Sequence, residues 1–399
     1  MSAVAEAIGF NLIVISPTIT LVITALILLF FTITIKTNET VKQVITICGI
    51  LFTIFCVFLK FGLFLQNGIS SYFTQKILLD EFSLFGNVLI SLILLFNFIP
   101  IWESSSLLKE KTTEAIILIL MSAAGFMLMI DSENLIMLFI GLEIGSISLY
   151  ALAGLNRGDK LSNEASLKYF LLGSLASCIL IYGVSLVYVS FAVQSVYNFA
   201  LALSYVGPDV VPLTTSIGMI LIFVGLLFKI AAAPFQSWAP DVYQGSPTGY
   251  VGYMASIAKV SSFIVIARLC QVSLRLMPNE FDSFFLIVVI LSTIIGSVFA
   301  TVQQDLKRLL AYSGVVQSGF ILSGIVSGVN GTSASMFYLF TYIIQLTGIF
   351  AIFSIVNGRL SSDFLIEGIQ GLIINNRFLA TTFCIFMLGL AGIPLTSGF

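Results

Sequence analysis

The chain has 399 residues, of which 58% are hydrophobic and only 9% are charged, and its formal net charge is −2. Too few polar side chains are present to cover a water-soluble globular domain, so the composition indicates a membrane protein with many spans. The nearly neutral charge balance gives no indication of a nucleic-acid partner.

Histidine is absent from the sequence, which removes the usual haem ligand and most zinc chemistry. The five cysteines lie inside apolar runs without a CxxC pair, and free cysteine commonly packs as a small hydrophobic residue. We therefore predict no cofactor and no metal in this chain. Any proton transfer is expected to use lysine, glutamate, tyrosine, serine and water.

The predicted fold is an all-α polytopic membrane protein with about 12 transmembrane helices, taking roughly 20 apolar residues as one crossing. A short amphipathic helix on the surface is predicted at 195–206. The spans are placed near 10–35, 43–65, 84–102, 113–131, 134–155, 167–193, 214–233, 248–271, 283–304, 306–328, 334–357 and 376–393.

Basic residues cluster in alternate loops of this arrangement. Loops after even-numbered spans hold only Lys76 and Arg275, whereas loops after odd-numbered spans hold eleven basic residues. An excess of Lys and Arg marks the inner side of a membrane, so the N-terminus is predicted to face outward. The charges at 157–160 and 305–308 are interpreted as solvated loop charge. The eleven are Lys36, Lys42, Lys109, Lys111, Arg157, Lys160, Lys168, Lys307, Arg308, Arg359 and Arg377.

Several charged residues remain inside the predicted spans. Lys60 and Arg268 lie nearer span ends and are expected to extend to the lipid headgroups. Lys229 and Lys259 lie deeper, and Glu143 is the carboxylate nearest the centre of a span. Charged groups within a membrane are costly and usually mark a transport pathway, so these three residues are candidate proton-relay groups.

Two packing alternatives stay open for these charges. Glu143 and Lys229 could form a static buried ion pair that fixes helix packing. Lys259 could instead neutralise a helix C-terminus. If the groups exchange protons, coupling on the order of a few kcal/mol at about 4–6 Å is enough to move charge along the membrane plane.

The segment 228–248, FKIAAAPFQSWAPDVYQGSPT, interrupts the seventh predicted span next to Lys229. Backbone groups freed by a break must find partners in protein or in a watery cavity. The break therefore favours a functional site, with a plain kink as the alternative. Its notable residues are Pro234, Gln236, Pro240 and Pro247.

A second late proline, Pro394, follows Pro234 by 160 residues. Paired broken helices at corresponding positions point to an inverted-repeat transporter fold. The sequence predicts a single membrane domain over 1–399, with broken helices near 229–247 and 389–399. Within it we predict N-terminal helices over 1–112, a first repeat over 113–272 and an incomplete second repeat over 273–399.

Several tracts resemble a known family: FKIAAAPFQSWAPDVYQGSPT, GLEIGSISLYALAGL, NEASLKYFLLGSLASCILIYG, DLKRLLAYSGVVQSGF and LAGIPLTSGF. They are similar to the subunit 2 family of NADH:ubiquinone oxidoreductase (respiratory complex I), among its antiporter-like membrane subunits. The likeness covers most of the chain from about residue 113. It implies a proton-translocating subunit of this reductase, coupled to quinone reduction elsewhere, with NADH, flavin and iron–sulfur clusters in other subunits.

The resemblance also implies roles for individual residues. Glu143 matches the glutamate of the fifth helix, Lys229 the lysine beside the break, and Lys259 the central lysine of the eighth helix. In the family these belong to a polar axis for protons. Gln236 stands where the family often has histidine, and glutamine cannot take up a proton at physiological pH. The family pattern continues beyond GIPxxxGF, so a separate chain is expected to supply the further helices, with truncation as the alternative.

The implied partners are other membrane-arm subunits of complex I, including neighbouring antiporter-like subunits, together with lipids. The alternative functions are a cation/proton antiporter subunit and a structural membrane-arm subunit without transport. Lysine outnumbers arginine and Ile and Phe are abundant, which favours an organelle-encoded protein of the mitochondrial inner membrane. The bacterial plasma membrane is the alternative location.

Overall fold

The structure is a computed structural model that describes residues 2–34, 38–107, 112–207, 210–272, 280–357, 365–369 and 371–398. The predicted topology residues Lys36, Lys109, Lys111, Arg275 and Arg359 lie outside these described residues. The described ranges are helical apart from a short antiparallel hairpin, in which β1 (Ser70–Tyr72) pairs with β2 (Ile77–Leu79).

The helices, in chain order, are α1 (Ser2–Thr34), α2 (Glu39–Asn67), α3 (Glu81–Leu107), α4 (Thr112–Asp131), α5 (Leu135–Ala153), α6 (Lys160–Phe191), α7 (Val196–Val206), α8 (Leu213–Lys229), α9 (Trp238–Gly245), α10 (Thr248–Val272), α11 (Glu280–Thr301), α12 (Leu306–Val326), α13 (Val329–Asn357), α14 (Leu372–Asn375) and α15 (Arg377–Leu390). A 3₁₀ turn occupies Ile366–Ile369.

Each of the predicted spans has a helical counterpart. In the described part of the chain, ten helices are long and apolar enough to cross a membrane. The other two predicted spans correspond to the shorter apolar helices α8 and α15. Helices α8 and α15 both end at a helix break, which explains why they are shorter than the others. The prediction of an all-α polytopic membrane protein is confirmed, and α7 lies at the predicted surface helix.

Helix α10 is the centre of the bundle. Every residue from Thr248 to Cys270 is buried, because α10 packs against α3, α4, α5, α8, α12 and α13. A helix covered by protein all round can carry polar side chains at membrane depth without exposing them to lipid. This is the environment that holds Lys259.

Helices α8 and α15 end in the same kind of turn. Ala231 and Gly392 adopt left-handed backbone conformations with φ of 56° and 69°, at an offset of 161 residues. In each turn the next amide donates to the carbonyl five residues back, at 3.1 and 3.2 Å. This is the Schellman arrangement that closes a helix C-terminus. The shared turn supports two related halves, although the repeat limits of 113–272 and 273–399 stay a prediction.

The prediction that Lys60 and Arg268 extend to the headgroups is wrong. The two residues are 0% and 2% exposed. Arg268 donates to both carboxylate oxygens of Asp80, at 2.8 and 2.7 Å. The Lys60 ammonium lies 2.7 Å from Asp131. Each base has a carboxylate partner inside the bundle, which removes the need to reach water.

Candidate functional site

Lys229 is the last residue of α8 and is buried at the break. Its ammonium donates to Ser146 Oγ at 3.0 Å and to Tyr150 OH at 2.8 Å, both on α5. It also lies 5.3 Å from the centroid of the Tyr150 ring, within the range of a cation–π contact. A buried ammonium needs acceptors of this kind because it has left water. The break thus places a lysine against a hydroxyl-lined part of α5.

Glu143 lies on the same helix, three residues before Ser146 and seven before Tyr150. This spacing puts the three side chains on one face of α5. Glu143 is half-buried, and in the described structure its Oε1 atom is buried without a hydrogen-bond partner. Among the described residues no ion pair within 4.0 Å joins Glu143 to Lys229, which binds the two hydroxyls instead. The structure therefore does not form the static ion pair.

Lys259 lies in the middle of α10 and is 3% exposed. Its ammonium donates to the Gly314 carbonyl oxygen at 2.6 Å, Tyr342 OH at 3.3 Å and Ser318 Oγ at 3.4 Å. Gly314 is in the interior of α12, so Lys259 does not neutralise a helix C-terminus. Lys259 is instead held between α10, α12 and α13.

Ser318 connects the surroundings of the two lysines. Its hydroxyl lies 2.8 Å from the carbonyl oxygen of Ile230, the residue that follows Lys229, and 2.8 Å from that of Gly314. The polar track therefore runs from Lys229 along the break to Ser318 and Lys259. A backbone carbonyl accepts hydrogen bonds but does not donate, so proton transfer along this track requires water beside Ser318.

The track continues toward the second break through α13 and α12. Tyr338, one turn before the Lys259 partner Tyr342, donates to Gln317 Oε1. Gln317 Nε2 donates in turn to the carbonyl oxygen of Leu390, the last residue of α15, at 2.9 Å. Because Gln317 and Ser318 are adjacent, α12 contacts the ends of both broken helices.

Backbone groups freed by the first break find partners in the protein. Trp238 Nε1 donates to the Phe228 carbonyl oxygen at 3.0 Å, and the Ala233 amide donates to Ser292 Oγ at 2.9 Å. Backbone groups inside a membrane must be hydrogen-bonded within the protein, and these contacts meet that requirement.

The other residues singled out at the breaks take different places. Pro234 is exposed within the break, Pro240 is in the first turn of α9, Pro247 directly precedes α10, and Pro394 is exposed in the second break. Gln236 is half-buried, and among the described residues no hydrogen bond joins it to either lysine. The structure thus brings Glu143, Lys229 and Lys259 to one track and leaves Gln236 outside it.

Four charged residues from α6, α9 and α12 meet at the side that the predicted topology places inside, and we name them the inner clamp: Lys168, Asp241, Lys307 and Arg308. Asp241 binds Lys168 at 2.6 Å and Arg308 at 2.7 Å. The buried Lys307 donates to the Ser246 carbonyl oxygen at 3.0 Å, at the C-terminal end of α9. Interpreting 305–308 as solvated loop charge is wrong, because Arg308 and Lys307 hold the broken helix; Lys168 also lies within α6 rather than in a loop.

Asp241 lies outside the ten long spans, at the inner clamp. Burial alone would raise the pKa of the Asp241 carboxyl, but hydrogen bonds from Lys168 and Arg308 hold that pKa below its ordinary value. The contribution of the Asp241 ion pairs to stability is therefore complete at neutral pH. It declines only on acidification toward and below the ordinary aspartate pKa of about 4.

Replacing Arg308 with glutamine is expected to destabilise the protein slightly at pH 7. The pair with Asp241 is partly solvated, with side chains 27% and 32% exposed. Partly exposed pairs of this kind contribute at most about 1 kcal/mol, so thermal unfolding in detergent should shift by a few degrees or less. Arg157→Gln, at an exposed position, is the matched control. A large loss of folded protein from Arg308→Gln alone would show that the clamp does more than this.

Sequence reasoning missed the partners of the two lysines. Ser146 and Tyr150 could have been found, since they share the helical face of Glu143. Gly314, Ser318 and Tyr342 could not, because nothing local in α12 or α13 indicates that they meet α10.

In the described part of the chain, ten long apolar helices, two helices ended by the same turn and a lysine buried beside the first break define an antiporter-like polytopic membrane protein. The chain belongs to the NADH:quinone oxidoreductase/Mrp antiporter transmembrane family, whose sequence model matches residues 132–399.

Individual relatives agree with this assignment. NADH-quinone oxidoreductase subunit N 1 of Solibacter usitatus is 36% identical over 328 residues, covering 82% of this chain and 67% of that protein. Subunit N of Parafrankia sp. is 42% identical over 292 residues, covering 73% of this chain and 55% of that protein. The chain thus spans between about half and two thirds of the length of these relatives.

A solved structure extends the similarity to nearly the whole chain. One chain of respiratory complex I from Thermus thermophilus with bound aureothin superposes with a TM-score of 0.77 and 27% identity. The superposition covers 96% of this chain and 80% of that one. The similarity of fold to that chain therefore also includes the helices that precede the family match.

Proposed function

We propose that this chain is a proton-translocating, antiporter-like subunit of the membrane arm of respiratory complex I, equivalent to subunit 2 or subunit N. The observation that carries the proposal is the pair of buried lysines, Lys229 and Lys259, joined through Ser318 beside a helix break. The chain acts in NADH:quinone reduction only as a subunit, and it couples quinone reduction elsewhere to proton pumping.

The three charged residues take the roles of proton donors and acceptors. The ammonium groups of Lys229 and Lys259 are held by neutral hydroxyls and a carbonyl rather than by carboxylates. Such partners stabilise a buried ammonium less than an ion pair does, so a change in nearby charge can shift the proton. Glu143, on the hydroxyl-lined face of α5, supplies a carboxylate whose buried oxygen is open to a donor. No redox group is needed in this chain for that chemistry.

Two rival functions are separated from this one by specific observations. A cation/proton antiporter subunit shares the family, but the relatives described above carry the name of NADH-quinone oxidoreductase subunits. A purely structural subunit would have no use for two buried lysines that, in the described part of the chain, contact hydroxyl and carbonyl groups rather than carboxylates. Proton translocation therefore accounts for more of the site.

The same comparison supports the proposed membrane and partners. The relatives are bacterial proteins, which supports the plasma membrane alternative, while the mitochondrial inner membrane stays a prediction. The proposed partners are the other membrane-arm subunits, including neighbouring antiporter-like ones, and lipids. A separate chain that supplies further helices also stays a prediction. Mass spectrometry of the purified assembly would test it by finding or missing a short companion with two spans.

Replacing Glu143 with glutamine tests the proposal directly. The amide keeps the size of the side chain but cannot exchange a proton, so proton pumping and coupled NADH oxidation should fall about tenfold or more. Both rates are measured in inverted membrane vesicles after the variant's abundance in the assembly has been checked. Glu114→Gln, on the exposed side of α4, is the control. Undiminished pumping by a fully assembled Glu143→Gln variant would contradict the role of this carboxylate.

A further inference from the structure

Five buried charged residues gather at the end of the bundle away from the inner clamp, and we name them the outer charge cluster: Lys60, Asp80, Asp131, Glu133 and Arg268. Each is at most 2% exposed. They come from α2, α4, α10 and the connections before α3 and α5. The predicted topology places this end on the outer side of the membrane. None of them belongs to the track of Glu143, Lys229 and Lys259.

In one of the two ion pairs of the cluster, both carboxylate oxygens and the guanidinium group have hydrogen-bond partners. Arg268 contacts both oxygens of Asp80, and its Nη1 atom donates to the Ile130 carbonyl oxygen at 2.6 Å. The Ser83 amide also donates to Asp80, at 2.7 Å. A guanidinium does not release its proton in proteins. This pair therefore works as a permanent link between α10 and the start of α3, and the bond to Ile130 ties α10 to α4.

In the other ion pair, some of the buried polar groups that the structure describes have no hydrogen-bond partner. The Lys60 ammonium lies 2.7 Å from Asp131, which also accepts from Asn87 Nδ2 at 2.8 Å. In the described part of the chain no second acceptor contacts the Lys60 ammonium, and Asn87 Oδ1 is buried without a partner. An ammonium has three donors, so this environment leaves hydrogen-bonding capacity for water.

The charge balance of the cluster adds a separate argument. Three carboxylates face two bases, and Glu133 has no basic partner among the described residues. Its Oε1 atom accepts from Ser195 Oγ at 2.6 Å, while its Oε2 atom is buried and unpartnered. Buried excess negative charge favours binding a positive species. Protonation of a buried carboxyl group removes that excess charge without any further ligand.

We propose that Lys60 and Asp131 form a further proton-binding site, which binds one exchangeable proton together with water and exchanges it with the outer side past Glu133. In the exchange an N–H bond of Lys60 breaks and an O–H bond forms on Asp131. The Asp131 proton then passes to water or to Glu133, and a proton arriving from the interior restores the ammonium. The contribution of this site to transport rests on the proposed function.

Lys60→Arg is the first test. Arginine keeps the positive charge and the ion pair with Asp131 but does not release a proton. The variant is expected to assemble and to lose at least about fivefold of the rates of proton pumping and of coupled NADH oxidation. Both rates are measured in inverted vesicles that contain the whole assembly. A merely structural ion pair predicts full pumping, and that result would overturn the proposal.

The double variant Lys60→Met/Asp131→Asn is the second test, in case arginine does not fit. It removes both charges, and replacing a whole buried pair by neutral groups of similar size is often tolerated. We expect normal assembly and the same loss of pumping. Full pumping, or failure of both variants to assemble, would assign the pair a structural role only. Glu39→Gln/Lys42→Met, which removes a pair at the inner end of the same helix, is the control.

Lys229→Met in the same vesicles separates the two proposals. If Lys229→Met stops pumping while the assembled Lys60 variants pump fully, only the outer proton site is wrong. If Lys229→Met also pumps fully, the proposed function itself fails.

Discussion

Replacing Lys229 with methionine is expected to reduce proton pumping about tenfold or more while the subunit still enters the assembly. Methionine is unbranched and apolar, so it can fill the buried space left by the lysine stem. Ser146 and Tyr150 would then lose the ammonium that donates to both of them. Pumping is measured as acidification of inverted vesicles, with coupled NADH oxidation recorded alongside.

Two further variants identify what is lost. Lys160→Met removes an exposed lysine at the start of α6 and should leave pumping unchanged. Lys229→Arg keeps a positive charge but not a releasable proton, so it should fail in the same way as Lys229→Met. Normal pumping by assembled Lys229→Met would favour the structural alternative. Normal pumping by Lys229→Arg alone would show that the charge, and not proton exchange, is what the site requires.

The features that the sequence predicted well are local ones. A span is recognised from its own apolar residues, and the break at 228–248 from its own prolines and polar residues. The same holds for Glu143, Lys229 and Lys259, since a charge inside an apolar run is visible without any knowledge of its neighbours. For these reasons the helix bundle and the positions of the two buried lysines could be predicted, while the roles of the candidate residues stay a prediction.

The features that sequence reasoning missed depend on distant partners. Arg268 meets Asp80 across 188 residues of chain, so a position near a span end gave the wrong expectation of contact with headgroups. Ser318 meets the break across 88 residues, and α12 contains no pattern that indicates this contact. The contact between Arg308 and Asp241 also joins distant parts of the chain, since Arg308 lies in α12 and Asp241 in α9. It could not be predicted from the residues around either position.

Helix α12 contacts both helix breaks and the central lysine Lys259. Ser318 contacts the turn after α8, and the adjacent Gln317 contacts the end of α15. Lys259 binds the same helix one turn earlier, at Gly314. A displacement of α12 would therefore alter hydrogen bonds at both breaks and at the central lysine together. That makes the packing around Gly314 a sensitive place to test.

Gly314→Ala is expected to reduce pumping about 10- to 100-fold without preventing assembly, because small misplacements of reacting groups have effects of this size. A Cβ atom at this position would lie 2.6 Å from Lys259 Nζ and 2.9 Å from Tyr342 OH. Its close neighbours are the ends of two side chains, and the flexible lysine can move away at little cost to the fold. The ammonium would then leave the Gly314 carbonyl that holds it.

The matched control is Gly62→Ala in α2, where an added Cβ would meet nothing within 4 Å. Alanine also favours helix over glycine, so neither substitution should weaken its helix directly. A loss of pumping confined to Gly314→Ala would therefore report the position of Lys259. Equal pumping by both variants would mean that Lys259 functions without its carbonyl partner. The polar track between the two lysines would then need another explanation than proton transfer.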